Sequence, residues 1–205
     1  MLSQPLRLGF LASGGGSSAH AIVEAIGRGD LAAEARLLVS NRREAPALAW
    51  AAEMGVPHRH IATAADPVAA DIALAAALIG AGVELLVLSG YLRQLGPRTL
   101  EAYAGRILNI HPGPLPQFGG HGMYGARVHQ AVIAAGVAES AIVIHLVDEE
   151  YDRGPEIARR AVPVEPADTA ATLEARVRAL EPGFFVETLA RIAAGDLILP
   201  GQTPL

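Results

Sequence analysis

The chain has 205 residues, 51% of them hydrophobic, which is enough to bury one full core. A formal net charge of −5 speaks against a broad surface for a nucleic-acid backbone. There is no cysteine and all 16 basic residues are arginine, which excludes disulfides, thiolate metal sites, cysteine nucleophiles, a Walker lysine and Schiff-base chemistry.

The start, Met1-Leu2-Ser3-Gln4-Pro5, lacks a charged segment ahead of a long apolar run, so a cytoplasmic protein with no membrane partner is expected. Leu6 to Ala12 is a continuous apolar run that predicts a buried parallel strand. Ser13-Gly14-Gly15-Gly16-Ser17-Ser18 predicts a turn, and Ala19 to Ile26 a helix ending near Gly27 and Gly29. Ala35 to Val39 is a second strand, Glu44 to Met54 a second helix and Arg59 to Ile61 a short third strand. Asp66 and Pro67 read as the N-cap and first residue of another helix. Val68 to Leu88 is apolar enough to suggest a membrane span, but Asp71, Gly80, Gly82 and Glu84 interrupt it. A buried helix followed by a strand over Glu84 to Leu88 is the better reading. Pro97 to Tyr103 predicts a short helix and Arg106 to Ile110 a fifth strand.

Alternating strands and helices imply right-handed crossovers and a parallel sheet, whose ligands bind beyond the strand carboxyl ends. After His111 the pattern changes. Pro112 to Pro116 and Gly119 to Gly125 are irregular, and Arg127 to Ala135 is helical. Ser140 to Val147 and Glu156 to Val164 are strands. Asp168 is expected to cap a long amphipathic helix toward Ala194, with Pro182 as a kink or break, before a tail from Leu199 to Leu205.

Three places suggest chemistry. The Ser13–Ser18 turn joins a strand to a helix, where glycines let the backbone approach an anion and free helix N–H groups favour phosphate. An ordinary tight turn has the same composition. No acid at the end of the second strand completes a dinucleotide fingerprint, since Asn41 stands there. Asn109 and His111 are two apart and share one face of a strand, ahead of a proline-rich exit. Asp152, in Asp152-Arg153-Gly154-Pro155, lies in a connection between strands. Alone, the histidine reads as structural and the aspartate as a turn residue. Together they form an oxyanion-stabilising amide and imidazole with a carboxylate expected to raise the histidine pKa. The other histidines show no ligand spacing, so no metal is expected.

Taken together, these segments resemble the folate-dependent glycinamide ribonucleotide formyltransferases over nearly the whole chain. The resemblance rests on Ser13-Gly14-x-Gly16-Ser17, Ser40-Asn41, Ser89-Gly90-x-x-Arg93 and Tyr103-Ala104-Gly105-Arg106-x-Leu108-Asn109-Ile110-His111-Pro112. It continues through His145-x-Val147, Asp152-x-Gly154-Pro155 and Ala175-Arg176-Val177 with Glu181. It implies a Rossmann-like α/β fold, mostly parallel, with a mixed C-terminal strand pair and a long last helix. It also implies one domain over 1–205, with a phosphate-binding half (1–111) and a half carrying the folate-site loops (112–205).

In that family Asn109, His111 and Asp152 match the catalytic trio. Gly14, Gly15, Gly16, Ser17 and Ser18 match the phosphate turn, and Glu181 the ribose contact. Leu92, Arg93, Gln94 and Leu95, with Val147, Asp148, Glu149, Glu150 and Asp152, match the folate site. The implied substrates are glycinamide ribonucleotide and 10-formyltetrahydrofolate, with neither metal nor nucleic acid, on a monomer or homodimer. The chain departs from the common pattern at Ser18, at Arg153, in lacking an arginine between Asp66 and Asp71, and in a longer 119–125 loop. The alternatives are a nucleotide-sugar formyltransferase, a formyltetrahydrofolate hydrolase and a non-catalytic phosphate-ligand binding protein. A methionyl-tRNA formyltransferase would be longer and more basic.

Overall fold

The computed structural model describes residues 4–201, so Met1–Ser3 and the last four residues of the expected tail lie outside it. A seven-stranded sheet with order β3-β2-β1-β4-β5-β6-β7 organises the chain. The strands are β1 (Leu6–Leu11), β2 (Ala33–Ser40), β3 (His58–His60), β4 (Leu85–Leu88), β5 (Ile107–His111), β6 (Glu139–Leu146) and β7 (Glu156–Pro163). The first five run parallel, β6 pairs antiparallel with β5, and β7 antiparallel with β6. This is the expected mostly parallel architecture with its mixed C-terminal pair.

Alternation along the strands splits the apolar residues between two cores. Leu8, Phe10, Leu85, Val87 and Leu108 face one layer, built from helices α1 (Ser17–Arg28), α5 (Ala126–Ala134) and α6 (Ala170–Ala193). Leu11, Leu86, Leu88 and Ile107 face the other, with Leu74 and Leu78 of α3 (Pro67–Gly80) and Tyr103 after α4 (Pro97–Ala102). Helix α2 (Pro46–Glu53) leans on β2 and β3. Among the described residues no helix is long and apolar enough to cross a membrane.

Five expectations are corrected. First, α1 starts at Ser17, so the last two serines of the turn are already helical; Gly16 is the left-handed N-cap at φ 64°. Second, the cap of α6 is Thr169, in a capping box with Thr172. Asp168 is drawn aside into a paired hydrogen bond with Arg176, at 2.7 and 2.8 Å. Third, Pro182 does not end α6. Its missing N–H and ring clash cost about 3 kcal/mol in an isolated helix, but Leu173 and Val177 before it, and Phe185 and Leu189 after it, are all fully buried in one core. Fourth, α3 is only half buried: Val68, Ile72 and Ile79 are exposed. Its single charge, Asp71, turns inward and accepts from the amides of Arg98 and Thr99 and from the Thr99 hydroxyl, anchoring the start of α4. Fifth, Leu199, expected in the tail, is buried in the core.

Candidate active site

Strand order reverses between β1 and β4, and the carboxyl ends of these strands are the usual ligand position on such sheets. The turn after β1 and the turn after β4 are tied together there. Ser13 N–H donates to the Gly90 carbonyl at 3.1 Å, and Ala19 N–H, in the first turn of α1, donates to the Ser89 hydroxyl at 3.0 Å. The Ser13 hydroxyl donates to Asn41 Oδ1 at 2.7 Å and accepts from Leu92 N–H at 2.8 Å. No group among the described residues accepts from the amides of Gly15, Gly16, Ser17 or Ser18. These four donors lie at the positive end of a 12-residue helix, an arrangement of backbone suited to an anion. Ser17 is exposed, whereas the Ser18 side chain is buried.

The second cluster is built from side chains. Asn109 and His111 lie on β5, and the antiparallel register sets His145 of β6 directly opposite Asn109. Asn109 Nδ2 is 3.1 Å from His145 Nε2. His145 Nδ1 lies 2.8 Å from the Leu146 carbonyl, which can only accept, so Nδ1 donates there, and Nε2 faces both Asn109 Nδ2 and the Asp152 carboxylate. Asp152 arrives on the loop between β6 and β7. Its Oδ1 is 3.4 Å from His145 Nε2 and its Oδ2 is 3.5 Å from His111 Nδ1, with the carboxylate 11% exposed and both histidines 3%. The 112–120 loop closes the cluster: the Phe118 carbonyl accepts from His111 Nε2 at 2.8 Å, and Gly120 N–H donates to Asp152 Oδ2 at 2.9 Å.

Backbone geometry makes this approach possible. Asp152 is the only non-glycine residue with positive φ among those described, at 57°. Aspartate tolerates this left-handed region better than most side chains. Gly119 must lack a side chain, since a Cβ there would stand 2.9 Å from Asp152 Cβ and 2.3 Å from Leu115 Cδ2. At Gly154 a Cβ would stand 1.9 Å from the Leu146 carbonyl oxygen.

Burial and charge compete in this cluster. The expectation that Asp152 raises the pKa of His111 is not met. Burial, the largest influence, pushes the imidazole below its usual 6.5, outweighing Asp152 and the Phe118 bond, which pull upward. Burial also pushes the Asp152 carboxyl up, but the bonds and charges of His145, His111 and Gly120 bring it below the usual carboxylate value. The resting cluster therefore holds an ionised Asp152 beside a His111 that burial keeps from charging. A third histidine, His129 of α5, is buried with Nδ1 unpartnered, and burial holds its pKa down as well.

The remaining expected residues fall around these two centres. Gln94 donates to the Glu149 carbonyl at 3.3 Å, joining the 92–95 segment to the 147–150 segment. Leu92, Arg93, Asp148, Glu149 and Glu150 are exposed, Val147 is half-buried, and Leu95 belongs to the core beneath them. Glu181 lies on α6, which packs against α1 and α5. Burial pushes its carboxyl up to about 7, with Arg178 opposing and Glu174 assisting. Sequence reasoning quoted His145 only within the family resemblance and missed it as a member of this cluster. The signal was its register opposite Asn109, legible only once β5 and β6 pair antiparallel.

A set of free backbone donors together with a half-buried amide and carboxylate around a buried imidazole, on the rim of an open α/β sheet, is the layout of an acyl-transfer type of site. Residues 6–189 match the family described as Formyl transferase, and the chain belongs to that family. It is 39% identical over 185 residues to the chloroplastic phosphoribosylglycinamide formyltransferase of Vigna unguiculata, covering 89% of this chain and 59% of the relative. It is 37% identical over 204 residues to the phosphoribosylglycinamide formyltransferase of Mycobacterium tuberculosis, covering 98% and 91%. The chain thus spans 59% and 65% of the two plant relatives' length. The crystal structure of glycinamide ribonucleotide transformylase 1 from Symbiobacterium toebii superposes with a TM-score of 0.88 at 34% identity, covering 97% of this chain and 92% of that one. A formyltetrahydrofolate deformylase from Pseudomonas syringae shares the fold at TM-score 0.84 and 21% identity, covering 97% of this chain and 65% of that one.

Proposed function

We propose that this protein transfers a formyl group from 10-formyltetrahydrofolate to the primary amine of glycinamide ribonucleotide, a step of purine biosynthesis in the cytoplasm. The observation that carries the reading is the convergence of Asn109, His111 and Asp152 in a chain so similar, over nearly its full length, to phosphoribosylglycinamide formyltransferases. The amine nitrogen bonds to the formyl carbon, the carbonyl oxygen becomes an oxyanion, and the bond from carbon to folate N10 then breaks. Asn109 donates Nδ2–H to the oxyanion. One such preorganised donor is worth about 3–4 kcal/mol in the transition state. His111, held neutral at rest by burial, is drawn toward its charged form by the negative charge developing beside it. Asp152 orients the imidazole and relays the proton from the attacking amine toward N10 through water. No metal is assigned a step.

In this reading the amides of Gly14, Gly15, Gly16, Ser17 and Ser18 hold the substrate phosphate, and Glu181 the ribose. Leu92, Arg93, Gln94 and Leu95, with Val147 to Glu150, receive the folate. Incubation with 10-formyltetrahydrofolate and glycinamide ribonucleotide should release tetrahydrofolate only when that amine is present. Turnover without an amine would make the protein a hydrolase. Turnover only with an amino nucleotide sugar would make it that transferase instead.

A further inference from the structure

Helix α2 belongs to neither centre, yet it grips the phosphate turn from behind. Ala47 N–H, in its first turn, donates to the Gly14 carbonyl at 3.1 Å. One helical turn later the Trp50 indole Nε1–H donates to the Gly15 carbonyl at 2.8 Å. Two consecutive peptide carbonyls are therefore pinned toward α2. Both peptides are trans, and in a planar trans peptide the N–H points opposite to the C=O. Holding the two carbonyls against α2 turns the amides of Gly15 and Gly16 away from it, on the side of the free donors of Ser17 and Ser18. Gly16 takes the left-handed φ of 64° that this path needs, and lies against α2, where a Cβ would be in ordinary contact with Ala47 Cβ at 3.4 Å and Trp50 Cζ2 at 3.7 Å. The indole is itself steadied edge-on by His20 of α1, with ring centroids 5.0 Å apart.

We infer that Trp50 is a positioning residue for the phosphate of the substrate: its indole N–H fixes the Gly15–Gly16 peptide plane so that the Gly16 amide is aimed at the anion. The inference rests on the proposed role of the Ser13–Ser18 turn. Trp50 touches no reacting atom, so its loss weakens phosphate binding and leaves the folate side and the chemical step alone.

The donor and the ring bulk can be separated. Trp50→Phe keeps an aromatic ring but deletes the N–H. Trp50→His keeps a donor at the equivalent ring position, because Nε2 is as many bonds from Cβ as the indole nitrogen. Calorimetric titration with ribose 5-phosphate at pH 8 should show binding weakened about fivefold in Trp50→Phe, the size of one neutral hydrogen bond, and largely restored in Trp50→His. The KM for glycinamide ribonucleotide should rise in parallel, with kcat and the KM for 10-formyltetrahydrofolate unchanged within about twofold. Equal affinity in Trp50→Phe and wild type overturns the inference. So does a Trp50→His variant as weak as Trp50→Phe, or a folate KM that rises in step. Wild-type protein that does not bind ribose 5-phosphate overturns the phosphate role of the turn and the inference with it. Ribose 5-phosphate binding that depends on Trp50, without turnover of glycinamide ribonucleotide, overturns the substrate assignment alone.

Discussion

The two halves of the site are made of different material. Around the Ser13–Ser18 turn the proposed ligand groups are backbone amides, held by main-chain bonds to Gly14 and Gly90 and by the side chains of Trp50 and Ser89. Around His111 the proposed working groups are side chains, two buried histidines with a half-buried Asn109 and Asp152, held by the carbonyls of Phe118 and Leu146 and the amide of Gly120. Binding an anion needs only donors and a dipole, which any sequence supplies if the chain takes the right path. Stabilising a transient oxyanion while moving a proton needs groups that change charge, and only particular side chains do that. Substitutions in the first region should therefore be mild and confined to binding, while those in the second should be severe and confined to turnover.

The sharpest way to break this contrast is Asp152→Asn. Asparagine accepts the left-handed backbone and the Gly120 bond but removes the charge, so kcat should fall on the order of a thousandfold with the melting temperature nearly unchanged. A steady-state assay showing less than a tenfold fall would remove Asp152 from the chemistry. Gly119→Ala comes next. Its methyl group pushes the 112–120 loop off Asp152, and kcat should drop by about tenfold or more while the KM for the phosphate substrate holds. Equal loss in both parameters would mean the two regions are mechanically coupled.

Glu181 tests the border between the regions through pH. Its folded pKa of about 7 lies above the usual 4.5, so between those values the folded state binds the proton more strongly than the unfolded state. Stability from this group is full below 4.5 and is lost as pH rises through 7. Glu181→Gln should therefore raise the melting temperature by a few degrees at pH 8 and leave it unchanged at pH 4.5, followed by thermal unfolding at both values. His111 and His129 act in the opposite direction. Their lowered pKa values cost stability as pH falls below 6.5, because the unfolded chain then takes up protons that the folded chain refuses. The smallest effect belongs to Ser17→Ala. With amides as the proposed phosphate ligands, the KM for the phosphate substrate should rise by less than about threefold; a tenfold rise would show that the hydroxyl is a principal ligand.

The same division explains what could be read from the amino acids. Strand and helix order followed from apolar runs and caps, and Asp66 with Pro67 opens α3 as its residues imply. The Asn109 and His111 pair was visible because two residues on one strand share a face. The partner His145 was not, because opposition across strands depends on register between segments 36 residues apart. The pKa direction of His111 was misjudged because a carboxylate can be spotted in a sequence, whereas the depth of burial that outweighs it cannot. Of the kink or break expected at Pro182, the break does not occur: local propensity argues for one, and the core on both sides overrules it.

The left-handed backbone of Asp152 has a consequence for design. The Asp152 carboxylate is aimed by its turn rather than by a rotamer choice on a regular strand, with φ at 57°, Gly119 clearing the space beside it and Gly154 letting the loop close on the Leu146 carbonyl. Glutamate would keep the charge yet lose the fit, and β-branched residues are barred by the backbone alone. Grafting an Asn, a His and an Asp onto the strands of another open sheet would copy the inventory without the aim. The portable unit is the crossed pair of loops, 112–120 and 147–155, carried together with the antiparallel β5–β6 edge from which they hang.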